Sequence, residues 1–91
     1  MPEYQKMLVF GRVQRVLFRD SARRRGAALG LTGYVRNAED GSLEIVAAGD
    51  GAKVSELFEG AKRGPIFARV DRYEIGAASF LEAFKNFTIK Y

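Results

Sequence analysis

The sequence predicts an α+β fold, a ferredoxin-like α/β sandwich. Elements in the order β-α-β-β-α-β, with a short additional strand at the end, would set two helices on one face of a mixed or antiparallel sheet. Three observations carry this expectation. Hydrophobic spacing alternates between strand-like and helix-like in that order. Turn and cap residues fall at each change. At 91 residues and 10.1 kDa the chain has room for one core, so residues 1–91 are expected to form a single domain; a domain of that size hides roughly 60–65% of the surface its unfolded chain exposes.

The elements follow in chain order. Residues 4–10 (Tyr-Gln-Lys-Met-Leu-Val-Phe) are apolar at both parities, as in a central strand. Residues 11–16 read as a turn. From Phe18 the spacing is helical: Phe18, Ala22, Gly26 and Leu29 share a face, Arg23 and Arg24 lie elsewhere, and Gly30 signals the C-terminal cap. Residues 32–37 form a strand, Asp40-Gly41 a hairpin turn, and residues 42–48 the returning strand. Asp50 can cap a second helix whose stripe is Val54, Leu57, Phe58 and Ala61, and Gly64-Pro65 stops it. Residues 66–75 read as a long strand with a change of phase. Ala68 and Val70 have one parity and Tyr73 and Ile75 the other, so a bulge near Asp71-Arg72 would keep all four inward. A loop of small residues then leads to an edge strand at 86–91.

Composition narrows the chemistry. A hydrophobic fraction of 47% with 29% charged residues is that of a folded domain. The chain has no cysteine and no histidine. It therefore has no disulfide, no thiol nucleophile, no Ser-His triad and almost no route to a zinc site. Any reaction it carries out must need neither a proton shuttle near pH 7 nor a tightly held transition metal. No run of about 18 apolar residues exists to span a bilayer. Residues 1–6 lack the basic-then-apolar order of a signal peptide, so a cytoplasmic location is expected. The formal charge of +4 is uneven. Between Arg12 and Arg36 seven arginines face one acid, Asp20, while the remainder is net acidic. Such a basic field attracts phosphate, nucleic acid or acidic metabolites.

The stretch 11–19 (Gly-Arg-Val-Gln-Arg-Val-Leu-Phe-Arg) lies between a central strand and a helix start. Unpaired N–H groups and the helix dipole make that place an anion site, and a short curled loop can aim successive N–H groups at one phosphate. Arg19, in the first helical turn, can fork onto two phosphate oxygens. A cation there opposes the dipole, and a bound anion would resolve the conflict. Spacing alone leaves a solvated arginine beside a turn equally open. Asn37 precedes a turn, where its residue type favours a structural Asx hydrogen bond. Glu39 and Asp40 read as solvated turn acids. Arg23, Arg24 and Arg25 cannot all face one way, and Arg25 is expected to lay its stem along the core.

Several segments together change those readings. The chain resembles the acylphosphatase family over nearly its whole length. The resemblance rests on Gly11-x-Val13-Gln14-x-Val16-x-Phe18-Arg19, on residues 29–37 (Leu-Gly-Leu-Thr-Gly-Tyr-Val-Arg-Asn) and on Asp40-Gly41-x-Leu43-Glu44. Gly64-Pro65, Ala68-Arg69-Val70 and Phe87-x-Ile89-x-Tyr91 agree with it. It implies hydrolysis of carboxyl–phosphate mixed anhydrides such as acetyl phosphate, carbamoyl phosphate and bisphosphoglycerate. It implies a loop of Gln14, Arg15, Val16, Leu17, Phe18 and Arg19 that cradles the phosphate. Arg19 would bind that phosphate and Asn37 would orient the attacking water. No metal and no cofactor are implied. The chemistry suits the composition, because a departing carboxylate needs no general acid and phosphoryl transfer rests on positioning and charge.

One position departs from the pattern: Arg15 stands where the family usually has glycine. A loop on the usual path would put Arg15 in a backbone region that costs a non-glycine residue about 1–3 kcal/mol; otherwise the loop must take another path. Two other functions fit parts of the sequence. An RNA-binding module shares the element order, but the strand at 42–48 has no aromatic residue for stacking. A binding-only domain of the kind found in larger carbamoyl-handling maturation proteins is the other, and an end at Tyr91 favours a stand-alone enzyme. The expected partner is thus a small acyl phosphate, with no nucleic acid and no membrane, and the expected state is a monomer.

Overall fold

Met7 and Val9 alternate with Lys6, Leu8 and Phe10, and the two faces of that strand meet different surroundings. In a computed structural model, which describes residues 3–15, 17–80 and 83–91, the strand is β1 (Glu3–Arg12). It is followed by α1 (Phe18–Ala28), β2 (Thr32–Asn37), β3 (Leu43–Ala48), α2 (Gly51–Ala61), β4 (Arg69–Ser79) and β5 (Phe87–Ile89). The sheet order is β4-β1-β3-β2-β5, with β5 parallel to β2 and the other pairs antiparallel. This is the ferredoxin-like α+β arrangement, with a mixed sheet.

Met7, Val9, Val35, Leu43, Ile45 and Ala47 form the helix-side core with Phe18 and Ala22 of α1 and Val54, Leu57, Phe58 and Ala61 of α2. The apolar stripe of α2 is buried as its spacing requires, and the Asp50 carboxylate accepts from the N–H groups of Ala52 and Lys53. Helix α1 closes at Leu29 with the N–H of Gly30 bonded to the Ala27 carbonyl and that of Leu31 to the Gly26 carbonyl. Gly26 is needed for contact: a Cβ there would lie 2.7 Å from the Phe87 ring. That close approach seats β5 against α1.

The opposite face of the sheet is partly covered. Tyr4, Tyr34 and Val46 are buried there beneath Phe80 and Phe84, whose rings meet the tyrosines edge-on at 5.2–6.0 Å. The Tyr4 hydroxyl accepts from the Phe84 N–H. Tyr34 donates to the buried Glu44 carboxylate at 3.1 Å, and Arg36 Nε donates to the same carboxylate at 2.6 Å. Burial, then the Glu44 charge, pushes the Tyr34 phenol up to about 12. A folded-state value above the unfolded one gives stability that is complete below pH 10 and is lost as pH rises through about 12. Stability measured by urea unfolding should therefore fall across that interval. Tyr34→Phe should remove this part of the fall while losing about 1 kcal/mol at neutral pH.

The structure corrects several strand boundaries. The expected turn at 11–16 begins later, because β1 continues to Arg12 opposite Arg69. Strand β4 starts at Arg69 rather than 66 and runs on through the small residues to Ser79, since β1 offers pairing partners that far. Ile66 and Phe67 lie before it and are exposed. The bulge is where the phase change requires it: Phe10 pairs with Arg72 and Gly11 with Val70, leaving Asp71 as the extra residue. Val70, Tyr73 and Ile75 thereby pair with Gly11, Val9 and Met7 on the helix side. Tyr73 and Ile75 nonetheless stay 43% and 48% exposed, because the helices do not reach over this edge strand. Strand β5 is confined to Phe87–Ile89, inside the expected 86–91.

Candidate active site

The end of β1, the end of β2, the start of α1 and the end of β5 converge. Val13 anchors the β1 end in the core at 1% exposure, and Phe18 anchors the helix start at 3%. The chain between them must turn within four residues. It does so with Arg15 and Leu17 in the left-handed region, at φ 62° and 63°. The loop thus keeps the backbone form that suits glycine at position 15 while holding an arginine there. Val16 lies outside the described residues. Leu17 is the N-cap of α1 and has no side-chain acceptor to offer. Among the described residues, no protein acceptor is bonded to the N–H groups of Arg15, Leu17, Phe18 or Arg19. Free N–H donors at a helix N-terminus favour an anion.

Arg19 is half-buried, and its guanidinium lies 5.0 Å from the Tyr91 ring centroid. Strand register explains why Tyr91 is there. Ile89 pairs with Val35 and the Lys90 N–H bonds to the Val35 carbonyl, so the chain end runs alongside β2 toward the α1 start. Asn37, the last residue of β2, lines the same cleft as Arg15, Leu17, Phe18 and Arg19; its volume is about 290 Å³. Its Oδ1 is buried with no hydrogen-bond partner among the described residues. The turn's Asx bond belongs instead to Asp40, whose carboxylate accepts from both the N–H and the hydroxyl of Ser42. Those bonds, the hydroxyl's first, hold the Asp40 carboxyl below its ordinary range. Neither Glu39 nor Asp40 lines the cleft.

Gln14 is placed differently from its loop neighbours. Its side-chain amide donates to the carbonyls of Ala38 and Ser42, each at 3.0 Å. Both Nε2 hydrogens are spent on the hairpin that presents Asn37, so the backbone N–H is the donor Gln14 has left for an anion. Phe18 likewise points into the core and offers its N–H alone. Gln14→Ala should remove one of two donors at each carbonyl, since Ser42 O also accepts from the Ala38 N–H and Ala38 O from the Gly41 N–H, and loosen the loop from the hairpin. The expected result is a loss of about 1–3 kcal/mol in urea unfolding, together with a fall in kcat larger than the rise in KM.

The arginine run is accounted for. Arg23 and Arg24 pair with Asp20 at 3.9 and 3.1 Å, and Asp20 in the first turn complements the helix dipole. Arg25 does not lie along the core; it reaches Glu56 of α2 at 2.9 Å. Among the described residues no group of three acidic, histidine or cysteine side chains could hold a metal, and no helix is long and apolar enough to cross a membrane. Two larger grooves, about 620 Å³ beside α2 and about 520 Å³ between the helices, lack this meeting of loop donors, guanidinium and amide.

Two helices on a five-stranded mixed sheet, with a cationic loop facing a carboxamide across a small cleft, define a small α+β domain able to hold an oxyanion. The acylphosphatase family model matches residues 5–89, and the chain belongs to that family. It is 48% identical to an acylphosphatase of Caldivirga maquilingensis over 87 residues, 94% of this chain and 92% of that one. The crystal structure of acylphosphatase from Bacillus subtilis matches with a TM-score of 0.89 at 31% identity, covering 99% of this chain and 100% of the other. The structure of T. kodakarensis HypF matches at 30% identity with a TM-score of 0.86, covering 98% of this chain but 12% of that chain.

Proposed function

We propose that this chain hydrolyses acyl phosphates to a carboxylate and inorganic phosphate, with Arg19 and the 14–19 loop holding the phosphoryl group and Asn37 holding the attacking water. Family membership supports the reaction. The division of roles rests chiefly on one observation: a buried Asn37 Oδ1, without a hydrogen-bond partner among the described residues, shares a cleft with Arg19. A buried carbonyl oxygen without a donor costs about 1–3 kcal/mol, and a water hydrogen at that oxygen removes the cost. The water oxygen so aligned attacks phosphorus, the bond from phosphorus to the acyl oxygen breaks, and the carboxylate leaves with its electron pair. The proton of the water passes to a phosphoryl oxygen, since the one acid lining the cleft among the described residues, Asp20, is engaged by Arg23 and Arg24. Loop N–H groups and the guanidinium offset the charge on the equatorial oxygens, the largest usual contribution in such transfers.

All groups in this scheme come from one chain, so the scheme needs no residue from a second copy. The sheet face that an RNA-binding module would offer to bases is partly covered here by Phe80 and Phe84, which supports a small-molecule substrate. The test is hydrolysis of benzoyl phosphate with and without EDTA. Turnover should be unchanged by the chelator and competitively inhibited by phosphate. No turnover would overturn the proposal, and a large loss with EDTA would replace it with metal-assisted hydrolysis.

A further inference from the structure

The cleft holds a second cation besides Arg19. Arg15 lines it beside Arg19 but differs in setting. Arg19 is half-buried and packed on Tyr91, whereas Arg15 is exposed at the mouth. Among the described residues Arg15 enters no ion pair. The acid lining the cleft, Asp20, is already engaged by Arg23 and Arg24. Arg15 also holds φ 62°, a conformation glycine would adopt without cost. An unpaired guanidinium kept at the mouth despite backbone strain is a feature to be explained by what passes the mouth.

We propose that Arg15 selects the acyl side of the substrate, favouring acyl phosphates whose acyl group carries a second anionic group. The inference rests on the acyl phosphatase reading above. With phosphorus seated on Arg19 and the loop donors, the acyl group must point to the open side of the cleft, past Arg15. A carboxylate or phosphate several ångströms along the acyl group then meets an exposed cation. At such separations, and at a dielectric between protein surface and water, the attraction corresponds to about a five- to tenfold preference. A neutral acyl group of the same shape gains nothing from it, and a cationic one is disfavoured.

The test compares benzoyl phosphate, 4-carboxybenzoyl phosphate and 4-trimethylammoniobenzoyl phosphate on wild type, Arg15→Gln and Arg15→Lys. Both substitutions leave a non-glycine residue in the left-handed position, so backbone strain is shared and charge is isolated. Substituent effects on leaving-group reactivity cancel when each variant is compared with wild type. The ratio of kcat/KM for the carboxylated substrate over benzoyl phosphate should drop about five- to tenfold in Arg15→Gln and stay within about twofold of wild type in Arg15→Lys. The trimethylammonium substrate should move the opposite way. In wild type the preference should collapse in about 1 M salt, where the Debye length is about 3 Å. An unchanged ratio in Arg15→Gln, an equal drop in Arg15→Lys, or loss of all turnover in Arg15→Gln would each overturn the assignment. Wild-type turnover of benzoyl phosphate reads the hydrolase assignment separately: its absence would remove the reaction and this inference together, whereas its presence with a flat ratio would remove the inference alone.

Discussion

Arg19→Ala should lower kcat/KM for benzoyl phosphate by about a thousandfold and weaken inhibition by phosphate by at least tenfold. One guanidinium serves both states of the substrate. In the ground state it forms charge-assisted hydrogen bonds to phosphoryl oxygens, and in the transition state the same bonds strengthen as charge spreads over those oxygens. Binding and turnover should therefore fall together. The fold should survive, because Arg19 makes no ion pair among the described residues and its one aromatic contact is with Tyr91, itself 95% exposed. Arg19→Lys should recover only a small part of the rate, since an ammonium cannot fork onto two oxygens. Full recovery by lysine would mean that charge alone, and not bidentate geometry, is what the site uses.

Asn37→Ala should also cost about a thousandfold in kcat, but with a different signature. Inhibition by phosphate should stay within about twofold of wild type, because the carboxamide is assigned to water and not to the phosphoryl group. Urea stability should rise slightly or hold, since the substitution removes a buried oxygen that has no donor among the described residues. That combination, with turnover gone while ligand binding and stability are kept, separates a water-holding group from a structural one. Equal loss of phosphate affinity in Arg19→Ala and Asn37→Ala would contradict the division of roles.

Local signals gave the elements their sequence reading. Asp50 before a stripe at 54, 57, 58 and 61 marks α2 without reference to the rest of the chain, and Asp40-Gly41 between two short apolar runs marks the hairpin. The ends of β4 were not legible in the same way. Residues 76–79 are small and do not alternate; they are strand because β1 supplies partners out to Glu3 opposite Ser79. Ile66 and Phe67 look like strand residues but lie beyond the last pair, Arg12 with Arg69, and are left exposed.

The site divides along the same line. Arg19 could be singled out because a cation at a helix start is electrostatically odd. Asn37 could not be distinguished from an Asx-turn residue by type; the distinction requires knowing that Asp40 makes that bond with Ser42. The family resemblance implies Gln14 among the phosphate ligands, whereas its side-chain bonds go to carbonyls 24 and 28 residues away, a tertiary arrangement that no local pattern encodes. Tyr91 matched the family pattern, but its place over Arg19 depends on the parallel pairing of β5 with β2. The left-handed turn at Arg15 was one of two paths left open by an arginine at a glycine position. The observed φ of 62° takes the first.

The central claim is that water aligned by Asn37 attacks phosphorus, and isotope placement tests it most directly. Wild-type enzyme turning over benzoyl phosphate in ¹⁸O-labelled water should place the label in inorganic phosphate and none in benzoate, as read by mass spectrometry of both products. Label in benzoate would mean attack at the carbonyl carbon and would contradict the account.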